Sequence, residues 1–173
     1  MERIRVADNF YLDEFIDPYT YFNEVKNGLE QIDQSLFEIA QKVRDLHGYP
    51  IVINNWWEFY RDNLKKLSCN DIVDRIEAGW GRKWSGYRPE HCPIGAEFSA
   101  HKTGQAIDMV GNGRHLFTLV KDNAQAFYEL GVRRLEDPSI TPTWLHIDTK
   151  EHNTQPDSIR VVDLSVATEI IRW

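Results

Sequence analysis

Residues 99–108 read Ser-Ala-His-Lys-Thr-Gly-Gln-Ala-Ile-Asp, and this segment predicts a tight turn followed by a buried strand. Gly104 permits a tight turn after His101, and the apolar run Ala106–Val110 is typical of a strand that enters the core. Asp108 then stands inside that strand with an apolar residue on either side. A buried carboxylate is costly unless a cation or a hydrogen-bond donor meets it. A cation that Asp108 shares with the nearby imidazole satisfies that need, so the segment is a candidate metal site.

A second segment, Thr143–Asp148, supplies a further candidate ligand. If it forms a strand, the alternation of side chains places Trp144, His146 and Asp148 on one face. With the first two candidates, His146 completes a set of two imidazoles and one carboxylate. Such a set leaves a fourth tetrahedral position open for water, as in catalytic zinc sites. The spacing matches no helix-based zinc motif, so the residues alone leave open whether a metal binds.

Periodicity along the rest of the chain predicts an α+β fold, in which a small antiparallel sheet is flanked by helices. One helical stripe stops at Gly48, where a helix C-cap belongs, and Pro50 cannot continue the helix. Because no linker or repeat divides the chain, residues 1–173 are expected to form a single domain. Helices are predicted at 31–47 and 115–130, and strands at 51–53, 106–110, 132–136, 144–149 and 159–164.

The composition excludes several classes of function. The chain has 20 Lys and Arg against 27 Asp and Glu, and its net charge of −7 argues against sequence-independent binding of nucleic acid. No apolar run approaches the roughly 20 residues of a membrane span. The charged N-terminus lacks the apolar stretch of a signal peptide, so we expect synthesis in the cytoplasm. Cys69 and Cys92 are too few for a disulfide framework or a thiolate metal cage.

An aromatic-rich segment occupies about residues 55–84. Aromatic rings line clefts or stack on sugars, but they are also ordinary core material. A short helix is predicted inside this segment, at 71–78. The aromatic residues are Trp56, Trp57, Phe59, Tyr60, Trp80 and Trp84.

The two candidate segments together resemble a known zinc-peptidase signature, SxHxxGxAxD followed downstream by WxH. The family is that of the D-alanyl-D-alanine carboxypeptidases, whose fold is shared with the hedgehog signalling domain and with VanX-type dipeptidases. Further similarity to its phage-type members lies in residues 8–15, in GYPIVIN at 48–54 and in SGYRP at 85–89. The resemblance therefore covers about residues 8–149. It implies that zinc is the cofactor and that its ligands are His101, Asp108 and His146.

The same resemblance assigns residues to substrate binding. Arg88 matches the arginine of the SGYR segment, which faces the substrate and holds a carbonyl or a carboxylate. The planar guanidinium suits this role because it can bind a carboxylate through two nitrogens. Ser99 and Trp144 are assigned to the same cleft. The alternative for Arg88 is a surface arginine stacked on Tyr87 or Trp84.

The general base is less certain from the sequence, because VanX-like enzymes carry a glutamate three residues before the last histidine. Here that position is Thr143. Glu136, Asp137 and Asp148 compete for the role. Glu136 is preferred, because it ends a predicted strand and hedgehog-like members carry a glutamate at such a strand end, facing the metal. Asp148 is better placed to orient a ligand histidine, and a solvated Glu136 is the alternative to a catalytic one.

The resemblance implies a zinc-dependent peptidase that hydrolyses peptidoglycan stem peptides, as a D-alanyl carboxypeptidase or an endopeptidase. A phage lysin, a tail-associated enzyme and a cytoplasmic enzyme are all compatible with this expectation. The rival interpretations are a zinc-binding interaction module without catalysis and a phage structural protein that uses the same fold. The aromatic-rich segment is an insertion relative to the phage-type pattern, so the peptide bond that is cut and the oligomeric state stay open.

Overall fold

The structure is a computed structural model, and it describes residues 2–23, 25–59, 82–90, 92–152, 156–163 and 168–173. It has a mixed α+β fold with one five-stranded and one two-stranded sheet. The strands are β1 (Arg5–Ala7), β2 (Phe10–Tyr11), β3 (Ala106–Val110), β4 (Arg134–Glu136), β5 (Trp144–Asp148), β6 (Ile159–Val162) and β7 (Thr168–Ile171). The α-helices are α1 (Pro18–Asn23), α2 (Val25–Gln31), α3 (Ser35–His47), α4 (Trp56–Phe59), α5 (Gly113–Asp122) and α6 (Ala124–Glu129), and Leu12–Glu14 forms a 3₁₀ turn.

The larger sheet has the strand order β3-β5-β4-β6-β7. Three of its pairings are antiparallel, as predicted: β3 with β5, β4 with β5 and β6 with β7. The β4–β6 pairing is parallel, so the prediction of an antiparallel sheet is wrong at this point. Both edges of β5 are already occupied by β3 and β4. The chain therefore reverses direction after β5 and joins the free edge of β4, which makes β6 run parallel to β4.

The helix predicted at 31–47 is α3, which begins later than predicted, at Ser35, because residues 32–34 divide it from Gln31, the last residue of α2. Asp33 causes the break. Its backbone N–H donates to the carbonyl of Gly104 at 2.8 Å, and its carboxylate accepts from the backbone N–H and the hydroxyl of Ser35. A side chain that caps the first free N–H groups of a helix favours a helix start at that point. The predicted end at Gly48 is confirmed, with a left-handed φ of 76°.

The helix predicted at 115–130 is also divided, into α5 and α6, at Asn123. The side-chain amide of Asn123 donates to the carbonyl of Leu119, and its backbone N–H bonds to Val120 instead. This competition for a helical carbonyl is the usual reason why asparagine is unfavourable inside helices. The strand predicted at 51–53 is reduced to a single bridge between Val52 and Val110. The helix predicted at 71–78 lies outside the described residues.

The core lies between the larger sheet and the helices. Leu145 and Ile147 of β5 are buried on the face opposite His146, and α3 and α5 contact one another above the sheet. Trp56 and Trp57 are buried, so the core interpretation of these two aromatic residues is confirmed. None of the helices in the described ranges is long and apolar enough to cross a membrane.

Candidate metal centre

The centre is built on the pairing of β3 with β5. Asp108 lies directly opposite His146 in this antiparallel pair. Residues that face one another in this way project their side chains on the same side of the sheet. Their neighbours Ile107 and Ile147 also form a pair, and both are fully buried. The alternation read from the sequence therefore holds, with polar groups on one face and the core on the other.

His101 enters from the turn that precedes β3. The N–H of Gly104 bonds to the carbonyl of His101 and closes the turn. The backbone N–H of Arg88 donates to the same carbonyl at 3.0 Å. The main chain of His101 is thus tied to the segment 85–89.

Three ligand atoms converge, one from each predicted metal ligand. His146 Nδ1 lies 2.8 Å from Asp108 Oδ1, and His101 Nε2 lies 3.3 Å from both of these atoms. Tetrahedral zinc with bonds of about 2.0–2.1 Å separates its ligand atoms by about 3.3 Å, which matches the two distances from His101 Nε2. The 2.8 Å between His146 Nδ1 and Asp108 Oδ1 is a hydrogen-bond distance, which a bound ion would lengthen. Within the described ranges, this is the one group of three His, Cys, Asp or Glu side chains whose ligand atoms lie within 4.8 Å of one another.

The far nitrogen of each imidazole faces a hydrogen-bond acceptor. His101 Nδ1 lies 2.8 Å from the carbonyl oxygen of Gly86, and His146 Nε2 lies 3.3 Å from Asp148 Oδ2. An acceptor at the far nitrogen holds the proton there and leaves the near nitrogen free to bind a metal. The donor set of two imidazoles and one carboxylate could therefore hold a metal ion.

The electrostatics of the centre favour a cation beside Asp108. Burial opposes the charged form of this carboxyl, but hydrogen bonds and charge interactions with both histidines outweigh burial and hold its pKa well below the usual range. Burial also lowers the pKa of His146, yet its hydrogen bonds with Asp108 and Asp148 dominate and raise that pKa to about 9. In the absence of metal, a proton on His146 supplies positive charge that a divalent ion can replace.

Asp148 forms the outer layer of the centre. It is fully buried, and its carboxylate accepts from Nε of Arg134 and contacts the imidazoles of His146 and His152. Burial raises the pKa of Asp148, but these partners outweigh burial and the net shift is downward. The expectation that Asp148 orients a ligand histidine agrees with this geometry. Arg134 and His152 were missed by sequence reasoning, because their contacts depend on the register of β4 and on the chain path after β5.

Arg88 lies beside the three ligands. Its Nη2 is 3.0 Å from Asp108 Oδ2, and its Nε donates to the carbonyl of Trp84 at 2.6 Å. The guanidinium therefore contacts the second oxygen of the carboxylate whose first oxygen faces the histidines. The side chain is 13% exposed, so it is not the surface arginine of the alternative interpretation, but its role in substrate binding stays a prediction.

Ser99 and Trp144 lie in the elements that carry the ligands, and both are half-buried. Ser99 accepts the N–H of Lys102 on its main-chain oxygen and so belongs to the turn around His101. Trp144 begins β5 opposite Val110, two residues before His146. Neither side chain forms a hydrogen bond with the three ligand atoms, so the assignment of Ser99 and Trp144 to substrate binding stays a prediction.

The three candidate bases, Glu136, Asp137 and Asp148, differ in the hydrogen-bond partners of their carboxylates. Glu136 ends β4 half-buried, and its charge contributes to the raised pKa of His146, so it acts on the centre. Asp137 accepts the backbone N–H of Ser139 and belongs to the following turn. Asp148 is engaged by three partners, as described above. The choice of Glu136 as the base stays a prediction.

Part of the aromatic-rich segment is described. Trp84 is half-buried under the ammonium of Lys83, whereas Tyr60 and Trp80 lie outside the described residues, as does Cys69. Cys92 is buried, and burial raises the pKa of its thiol, which suits a packed residue.

Comparison with known proteins finds no matching family model, no similar curated protein and no similar solved structure.

Proposed function

We propose that the protein is a zinc-dependent peptidase that hydrolyses peptidoglycan stem peptides. The observation that supports this most is the convergence of His101 Nε2, Asp108 Oδ1 and His146 Nδ1 at mutual distances of 2.8–3.3 Å. Three protein ligands suit a catalytic zinc ion, which keeps one position for water or substrate. The substrate class and the hedgehog-like fold both come from the resemblance to the D-alanyl-D-alanine carboxypeptidases.

Each residue near the centre has a distinct role in this proposal. His101, Asp108 and His146 hold the zinc ion, which when bound polarises a carbonyl and lowers the pKa of water. Arg88 binds the substrate carbonyl or carboxylate with the part of its guanidinium that Asp108 leaves available. Glu136 takes the proton from the attacking water. Among the described residues, its carboxylate forms no hydrogen bond, whereas those of Asp137 and Asp148 do.

The decisive experiment is an assay of zinc-dependent release of D-Ala, or of new amino groups, from purified stem peptides. We expect the wild type to be active with zinc and inactive after chelation. Glu136→Gln should reduce kcat by at least about 100-fold with the zinc content unchanged, because the loss of a general base has effects of this order. Asp137→Asn is the matched control and should keep its activity.

A zinc-binding module without catalysis is the second candidate. It is favoured by Thr143, which stands where VanX-like enzymes carry their glutamate. An inactive wild type that binds one zinc ion would support this candidate. An active Glu136→Gln variant would instead transfer the role of base to Asp137 or Asp148.

A further inference from the structure

Two more histidines face one another on the surface of the helices. His47 is the last residue of α3, and His115 lies in the first turn of α5. Their ring centroids are 5.3 Å apart, and the ring planes are inclined by 53°. Neither residue belongs to the strands or the turn that form the centre described above.

The arrangement of this pair closely matches that of the two ligand histidines. The rings of His101 and His146 are 5.1 Å apart and inclined by 60°. An ion that binds two imidazoles through bonds of about 2.0–2.1 Å separates their centroids by roughly 5 Å, so both pairs have room for a shared ion. The packing of α3 against α5 therefore sets the distance between the two ring centroids at a value that allows a shared ion.

His47 provides an independent indication. Its Nδ1 is shielded from solvent and has no hydrogen-bond partner among the described residues. A buried nitrogen in this state normally has a partner, and a metal ion is one kind of partner that an imidazole accepts. Burial, together with the charges of His115 and Arg44, lowers the pKa of His47, which favours the neutral imidazole that binds metals. The nearby Arg44 also weakens the attraction for a cation.

We propose that His47 and His115 form a second metal site, which binds a divalent transition-metal ion such as Ni²⁺, Cu²⁺ or Zn²⁺. Imidazole ligands select this group of ions over Mg²⁺ and Ca²⁺. No third His, Cys, Asp or Glu in the described ranges joins the pair, so water completes the coordination. The site is therefore weaker than the three-ligand centre and exchanges its metal with solution.

The test is a calorimetric titration of the zinc-loaded protein with Ni²⁺. We expect the wild type to bind one further equivalent. His47→Gln and His115→Gln should each weaken this binding by at least about tenfold, because each removes one of two ligands. His115 is exposed, so its substitution leaves the core intact. Asp122→Asn, which removes an exposed carboxylate at the other end of α5, is the control and should leave the second equivalent unchanged.

Zinc content is measured after the titration, which shows whether Ni²⁺ has displaced the first ion. Loss of the second equivalent in both variants, with zinc retained, supports the site. A wild type that binds no second equivalent, or variants that bind it as tightly as the wild type, would overturn the proposal. The result does not depend on peptidase activity, because the readout is binding alone.

Discussion

Asp108 has two carboxylate oxygens, and each faces a different partner. Oδ1 faces the imidazoles of His101 and His146, while Oδ2 faces the guanidinium of Arg88. One oxygen can therefore bind metal while the other keeps the arginine in place. This division explains how a carboxylate between two apolar neighbours is tolerated in β3, since both oxygens are satisfied.

Asp108→Asn should lower the affinity for zinc by more than about 100-fold, whereas Asp148→Asn should lower it by roughly 10–100-fold, the usual effect of losing an outer partner of a ligand histidine. The amide keeps the size of the side chain but removes the charge. Competition with a chromophoric chelator measures both affinities. Asp137→Asn is the control and should bind zinc like the wild type. Equal affinities for wild type and Asp108→Asn would exclude Asp108 as a ligand.

Glu14 is a second residue whose surroundings have a measurable consequence. Only 16% of its side chain is exposed, and its carboxylate accepts the N–H of Tyr11 and contacts Arg3. Burial raises its pKa to about 7, and these two partners offset burial only in part. The folded chain thus keeps a proton on Glu14 at a pH where the unfolded chain has lost it.

Because the folded-state pKa lies above the unfolded value, this group makes the free energy of unfolding fall as the pH rises from about 4.5 to about 7. The effect is on the order of 2 kcal/mol. Glu14→Gln keeps an oxygen for the N–H of Tyr11 but cannot ionise. The variant should therefore gain stability relative to the wild type as the pH rises from 5 to 8, as measured by urea unfolding. An unchanged difference between the two proteins at both pH values would contradict the assignment.

At the scale of elements, Asp33 joins three parts of the fold. Its N–H binds the carbonyl of Gly104, and one carboxylate oxygen caps α3 at Ser35. The other oxygen accepts the hydroxyl of Thr149, just after β5, at 2.6 Å. The junction of α2 with α3 thereby holds both the turn that carries His101 and the end of the strand that carries His146.

Gly104 makes this junction possible. A Cβ at this position would lie 1.8 Å from the carbonyl oxygen of Gln31, and its φ of +69° is left-handed. Gly104→Ala should therefore destabilise the fold by on the order of 3 kcal/mol or more. Gly48→Ala is the matched control, because Gly48 has a similar φ of +76° but open space around its Cβ position. Only the strain of roughly 1–2 kcal/mol is expected there. Chemical denaturation compares the two, and equal losses would show that backbone conformation alone matters.

Some of these elements could be predicted from the sequence and others could not, for physical reasons. Strands β3 and β5 and the side-chain alternation along β5 are local properties, so the sequence predicted them. The pairing that sets Asp108 opposite His146 is not local, and the sequence grouped the two residues only as candidate ligands. The start of α3 depends partly on the local cap that Asp33 forms at Ser35, which periodicity alone does not show, and partly on the carbonyl of Gly104, about seventy residues away. The parallel β6 depends on which sheet edge is free once β3, β4 and β5 have paired.

At the scale of the whole molecule, the centre connects segments that are distant in sequence. The segment 85–89, the turn 99–105 and the strands β3 and β5 all supply groups that meet at Asp108 or hold its partners. A net charge of −7 also favours cation uptake over binding of anionic polymers. An ion bound at this centre is therefore expected to stabilise the entire fold, because unfolding any of these segments removes a ligand or its support.

Zinc should accordingly raise the melting temperature of the wild-type chain. A ligand that binds only the folded state at 1,000 times its Kd adds about 4 kcal/mol to the free energy of unfolding. In a chain of this size, that corresponds to an increase of roughly 8–16 °C. Scanning calorimetry with zinc and with excess chelator measures the shift. His146→Ala, which lacks one ligand, should show little shift under the same conditions, whereas His115→Gln should retain nearly all of it. A shift of equal size in His146→Ala would mean that zinc stabilises the protein from a different site.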